Sequence, residues 1–107
     1  MVVVQTKMDT NDDDQLLRVA AMKGDISAVE RLVMNGANLN APENYTHYPP
    51  LVESTCNRHP SVTKLLLLNK ADPNILTKLG NTSIYFANKQ GYTEIVKLLL
   101  DARATPE

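Results

Sequence analysis

Cysteine is almost missing from this 107-residue sequence. Cys56 stands alone, which excludes an internal disulfide framework and a zinc site built on several thiolates. A surplus of charge is missing too: 11 basic residues against 12 acidic ones leave a net charge of −1, with the basic residues scattered. That removes the electrostatic footprint of a protein built to grip nucleic acid or an anionic membrane. No apolar run approaches the roughly 20 residues of a membrane-spanning helix. The opening "MVVVQTKMD" is too short and too soon charged for a secretory hydrophobic region. These absences predict an intracellular chain, cytoplasmic or nuclear, and make the sequons at Asn44-Tyr45-Thr46 and Asn81-Thr82-Ser83 chance matches.

Catalytic patterns are equally sparse. There is no phosphate-binding glycine loop, no H-E-x-x-H and no G-x-S-x-G. The histidines are His47 and His59. Cys56 and His59, three residues apart, have the types of a thiol–base pair, but no third group orients them and no oxyanion site accompanies them. A small semi-buried core cysteine is the better reading. The aspartates at 12–14 lack calcium-loop spacing and read as a solvated, negatively charged helix start. No catalytic, cofactor-binding or metal-binding residue is expected, no cofactor is implied, and the chain does not read as an enzyme.

What the sequence does contain is a repeat. Aligning Leu17, Leu51 and Ile84 gives offsets of 34 and 33 residues. At the same spacing lie Ala20-Ala21, Ser54-Thr55 and Ala87-Asn88, then Gly24, Arg58 and Gly91. "VERLV" at 29–33, "TKLLL" at 63–67 and "VKLLL" at 96–100 follow. Each unit closes on an alanine, in "GANLN", "KADPN" and "RATPE". A short helix is predicted at about 16–23, 50–57 and 83–90, and a longer one at about 26–34, 60–68 and 93–101. Small residues on the first helix admit a neighbouring backbone. The V-x-x-L-L pattern puts branched apolar groups on one face of the second. One such pair leaves that face wet, whereas stacked pairs bury it continuously.

Two helices per 33 residues, a glycine between them and a closing G-A-D-x-N pattern resemble the ankyrin repeat. The resemblance covers about residues 12–107 and implies an all-α solenoid of three stacked helix-turn-helix units with projecting loops. The units run at about 12–41, 42–75 and 76–107, after a disordered arm at 1–11. The middle unit departs most from the pattern. Arg58 and Lys70 stand where glycine normally takes a left-handed backbone, and a cap shifted to Asn57 is the alternative at the first of them. The family's Thr and His are incomplete, with only Thr82 matching the Thr and Tyr85 standing at the His position. His59 falls where the family often has a structural histidine.

The resemblance implies a protein–protein interaction module, an adaptor, inhibitor or scaffold that binds another protein through loops and first helices. Its variable positions map onto Tyr45, Thr46 and Tyr48, then Lys78, Leu79 and Asn81, on the loops. On the first helices they map onto Met22, Lys23, Cys56, Asn57, Lys89 and Gln90. Tyr45 and Tyr48 sit in a proline-punctuated connection one residue longer than its counterpart, and either can anchor a partner or cover the core edge. Leu76 and Leu79 pose the same choice. The last unit keeps "IVKLLL" apolar with no helix expected after "DARATPE". The alternative reading is therefore a fragment of a longer array, or self-association through the C-terminal unit.

Overall fold

Every hairpin forms because two apolar stripes fall on facing helix surfaces and the backbone between them can turn. The structure is a computed structural model that describes the backbone of residues 8–104 and the side chains of residues 13–104. Its regular elements are six helices: α1 (Met8–Lys23), α2 (Ile26–Met34), α3 (Pro50–Cys56), α4 (Pro60–Leu68), α5 (Ser83–Gln90) and α6 (Thr93–Asp101). Pro50 and Pro60 open α3 and α4, where their missing N–H has no intrahelical acceptor to lose. Asp25 caps α2 by accepting from the Ala28 N–H at 3.1 Å.

The first helices α1, α3 and α5 lie side by side in one row, and α2, α4 and α6 form a second row behind them. Leu17, Leu51 and Ile84 meet Leu32, Leu66 and Leu99 between the rows, none more than 2% exposed. Burying a side chain of this size contributes roughly 1.5–3 kcal/mol. The observed ends agree with the expected ones except at the chain's start. α1 begins at Met8 rather than near residue 16, so residues 8–11, expected in a disordered arm, are helical. Residues 1–7 lie outside the described residues. The aspartates are consequently not at the helix start, since no Gly or Pro interrupts the stretch before them. Asp14 instead accepts the Asn38 N–H at 2.8 Å.

All six helix ends turn through a left-handed residue: Gly24, Arg58 and Gly91 after the first helices, Gly36, Lys70 and Arg103 after the second. The residue following each closes back on the helix. Asp25, His59 and Tyr92 donate to Ala20, Ser54 and Ala87 carbonyls at 3.0, 2.8 and 2.9 Å, and Ala37, Ala71 and Ala104 to Leu32, Leu66 and Leu99 at 3.1, 3.0 and 2.9 Å. Arg58 therefore holds the turn itself at φ 58°, and the alternative cap at Asn57 is not used, that residue lying at φ −98°. The closing Asx residues link one unit to the next. Asp72 N–H donates to Asn40 Oδ1 at 2.9 Å, while Asn40 and Asn74 N–H groups donate to Asn38 and Asp72 side chains, both at 2.9 Å.

The middle unit places polar groups where its neighbours have apolar ones. Ser54 replaces Ala20 and Ala87, and Thr63 stands where Val29 and Val96 do. Both are fully buried, with their hydroxyl oxygens 2.8 Å apart. Ser54 Oγ also reaches Leu51 O at 3.1 Å, and Thr63 Oγ1 reaches His59 O at 3.0 Å. Two hydroxyl hydrogens thus serve three close contacts. Thr55 Oγ1, buried with no hydrogen-bond partner among the described residues, fares worse.

Candidate functional site

Two loops rise from the row of first helices, and each is held by hydrogen bonds that its own sequence supplies. The loop between α2 and α3 is organised by Glu43. One of its carboxylate oxygens accepts the Tyr45 N–H, the Thr46 N–H and the Thr46 hydroxyl at 2.8, 2.7 and 2.9 Å. These donors, those of Thr46 foremost, hold the Glu43 carboxyl below its usual range. The backbone closes beneath them, with Glu43 N–H donating to Tyr48 O at 3.0 Å and His47 turning at φ 61°. The loop between α4 and α5 is a tighter turn, with Thr77 N–H on Asn81 O at 2.8 Å and Gly80 at φ 85°. A bond from Lys78 N–H to Thr46 O at 3.0 Å joins the two loops.

Joined this way, the loops enclose a cleft of about 320 Å³ lined by Tyr45, Thr46, Tyr48, Thr77, Lys78, Leu79, Asn81 and Phe86. All six loop positions expected from the sequence converge on it. The choice left open for the tyrosines divides between them. Tyr45 is 79% exposed, whereas Tyr48 is half-buried with its ring 5.6 Å from that of Phe86. Burial pushes the Tyr48 hydroxyl pKa upward, with Cys56 and Glu53 adding to the effect. Leu79 is 87% exposed and Leu76 59%, so neither tucks against the helices.

A second cleft, about 380 Å³, lies across Tyr45 from the first. Its floor is Val19 and Met22 of α1, and Glu43 and Glu53 bring carboxylates to it. Arg18 lines it as well but directs Nη1 to Ala41 O at 3.1 Å. Glu53 is half-buried, and the hydrogen bonds it accepts among the described residues fall on its backbone carbonyl, from Asn57 N–H at 3.2 Å and Nδ2 at 2.8 Å, rather than on its carboxylate. Burial lifts its pKa, the charge of Glu43 lifts it further, and Arg18 opposes both.

Of the expected first-helix positions, Met22 enters this second cleft. Lys23, Asn57, Lys89 and Gln90 are exposed at the ends of their helices and line neither cleft. Asn57 is tied to its own helix through Nδ2 to Glu53 O at 2.8 Å, and Lys89 Nζ stands 5.8 Å above the Tyr85 ring. Cys56 is half-buried, and burial followed by the charge of Glu53 pushes its thiol up to about 11, so it is not a ready thiolate nucleophile. The sequence expectation missed Thr77 and Phe86 in the first cleft and Gln15, Arg18, Val19, Glu43, Asn44 and Glu53 in the second; of these, Val19, Glu53 and Phe86 carry a signal. They share one place in the three repeats, two residues after Leu17, Leu51 and Ile84, and that column changes from aliphatic to acidic to aromatic.

Among the described residues no helix is long and apolar enough to cross a membrane. The family model for ankyrin repeats, in three copies, matches residues 17–107. The chain is 36% identical over 102 residues to an ankyrin repeat protein of Acanthamoeba polyphaga mimivirus, covering 90% of this chain and 12% of that protein. It is 34% identical over 79 residues to the 2-5A-dependent ribonuclease of Mus musculus, covering 74% of this chain and 11% of the enzyme. With the ankyrin repeat protein YahD of Escherichia coli the identity is 31% over 94 residues, 82% of this chain and 46% of the relative. This chain therefore spans about an eighth of the length of the first two relatives and just under half of the third. The periodic caps, the two helix rows and these matches agree: the chain belongs to the ankyrin repeat family.

Proposed function

We propose that this chain is a protein-binding module, an adaptor, inhibitor or scaffold of the cytoplasm or nucleus, and that its contact surface is the paired loops with the adjoining side of the first helices. Ankyrin repeats in general mediate binding to other proteins. The observation that carries the surface is the convergence of Tyr45, Tyr48, Lys78 and Leu79 on one cleft whose walls are fixed by the Lys78–Thr46 backbone bond. A preformed cleft loses little entropy on binding, and an exposed tyrosine at its rim has the size and chemistry of an energetic anchor. No catalytic role is assigned.

The test is affinity capture with the intact chain and with Tyr45→Ala/Lys78→Ala. The double variant is expected to weaken capture by about 1–2 kcal/mol per partner while helical circular dichroism stays unchanged. A captured set that does not respond to the two substitutions overturns this choice of surface.

A second reading, a section of a longer array, is supported by Leu100, 45% exposed on α6, and by relatives several times longer than this chain. Sedimentation at high concentration separates it from self-association: a monomer excludes the latter.

A further inference from the structure

The two clefts differ in chemistry although they share a wall. Tyr45 is that wall, with an aromatic and aliphatic surface on one side and carboxylates above an aliphatic floor on the other. We propose that one extended segment of a partner protein crosses Tyr45, seating a large apolar side chain against Tyr48, Leu79 and Phe86 and a nearby arginine or lysine along Val19 and Met22 onto Glu53. This rests on the protein-binding reading above and adds the chemistry of the partner.

Charge complementarity selects the occupant. Glu53 is half-buried and accepts among the described residues only through its backbone carbonyl, from Asn57, while one oxygen of the Glu43 carboxylate on the same cleft is already engaged by the Thr46 and Tyr45 donors. Glu53 therefore has acceptor capacity left over, in surroundings where burial and Glu43 already disfavour its charge. An incoming guanidinium or ammonium answers both conditions, and charge-assisted bonds to a carboxylate are the stronger kind. The floor suits the stem of such a side chain, since Val19 and Met22 offer apolar surface along which its methylenes lie while the head reaches the acid. Arg18 offsets this acidity only in part: its charge acts on Glu53, but its Nη1 is bonded to the Ala41 carbonyl and two carboxylates line the cleft against its one guanidinium. Lys78 biases the direction. It is the charged residue lining the apolar cleft, whereas Glu43 and Glu53 outnumber Arg18 in the other, so the charge balance favours a basic side chain in the second cleft over the first.

The probe is a phage-displayed random dodecapeptide library selected on the full chain, with recovered peptides measured by fluorescence anisotropy. Selected peptides are expected to pair Arg or Lys with a Leu, Met, Phe or Trp a few residues away. Their binding is expected to weaken about tenfold in Glu53→Gln, the loss of one charge-assisted contact, and also to weaken in Tyr45→Ala. Thermal melting confirms that Glu53→Gln is folded. Peptides that respond to Tyr45→Ala but not to Glu53→Gln, or that lack a basic residue, overturn the proposal and leave the surface standing. Peptides insensitive to both, or a library that yields none, overturn the proposal together with that surface. A concentration-dependent dimer abolished by Tyr45→Ala assigns the clefts to a second copy and likewise overturns it.

Discussion

The imidazole of His59, from the second repeat, lies directly against Gly24 of the first. Its Nε2 is 2.9 Å from the Met22 carbonyl, and because a carbonyl only accepts, that nitrogen carries the proton. A Cβ built on Gly24 would fall 2.6 Å from His59 Nδ1, closer than real contacts allow. Gly24 is thus constrained twice, by its φ of 77° and by the ring, whereas Gly91 at φ 74° has nothing within 4 Å of its Cβ position.

Comparing two alanine substitutions isolates the ring. Gly91→Ala carries the left-handed strain alone, about 1 kcal/mol. Gly24→Ala carries that strain and also pushes His59 off Met22, so its cost is expected to exceed that of Gly91→Ala by roughly 1 kcal/mol or more. Urea titrations of both variants read the difference. Equal midpoints would show that the ring moves aside without loss.

Three of the left-handed helix ends in other repeats hold charged residues, Arg58, Lys70 and Arg103, and the first two do not respond alike. Lys70 at φ 75° is exposed and shows no ring contact like that of Arg58 among the described residues, so Lys70→Gly is expected to stabilise by about 0.5–1 kcal/mol after the entropy of a freer unfolded chain is subtracted. Arg58 is different. Its guanidinium carbon stands 5.1 Å from the Tyr92 ring centre, an attraction worth about 0.5–1 kcal/mol at an exposed site. Arg58→Gly is expected to change stability by less than about 0.5 kcal/mol, because relief of strain and loss of that contact oppose one another. The same denaturation series measures both.

The contrast shows what the sequence makes legible. The helix ends other than the start of α1, the stacked leucines and the left-handed turns between paired helices follow from a period visible in Leu17, Leu51 and Ile84, because burial between rows recurs at that interval. The left-handed His47 and Gly80 in the loops do not. What Arg58 touches does not follow, since Tyr92 lies a full repeat away. The same limit applies at the clefts. Tyr45, Tyr48 and Leu79 were readable as loop residues, but Glu53 and Phe86 look like ordinary helix positions until the loops are placed above them. The early start of α1 was missed because polar helix interior and polar arm share a composition at residues 8–15.

The buried hydroxyl of Thr55 is a defect that a single substitution removes. It is fully buried and has no hydrogen-bond partner among the described residues, so its desolvation is uncompensated. Thr55→Val keeps the shape and deletes the orphan group. The expected gain is about 1 kcal/mol, a rise of roughly 4 °C in melting temperature. Thr63→Val is the control, because Thr63 is bonded to Ser54 and His59 and its loss leaves Ser54 with one fewer partner. A Thr55→Val chain no more stable than wild type would mean that the hydroxyl has found a partner.

Glu53 makes stability depend on pH in a direction opposite to that of a salt-bridged carboxylate. Burial and the Glu43 charge raise its folded pKa above the unfolded value, so between the two the folded state holds more protons. Stability from this group is therefore fully present below the unfolded pKa and is lost as pH rises through the folded one. Glu53→Gln, fixed in a neutral form, is expected to be more stable than wild type at pH 7, with the gain shrinking toward pH 4. Thermal melts of the two chains across that interval give the difference directly. A gain that stays constant with pH would locate the effect in packing, and a loss at pH 7 would mean that Arg18 holds the carboxylate in its charged form.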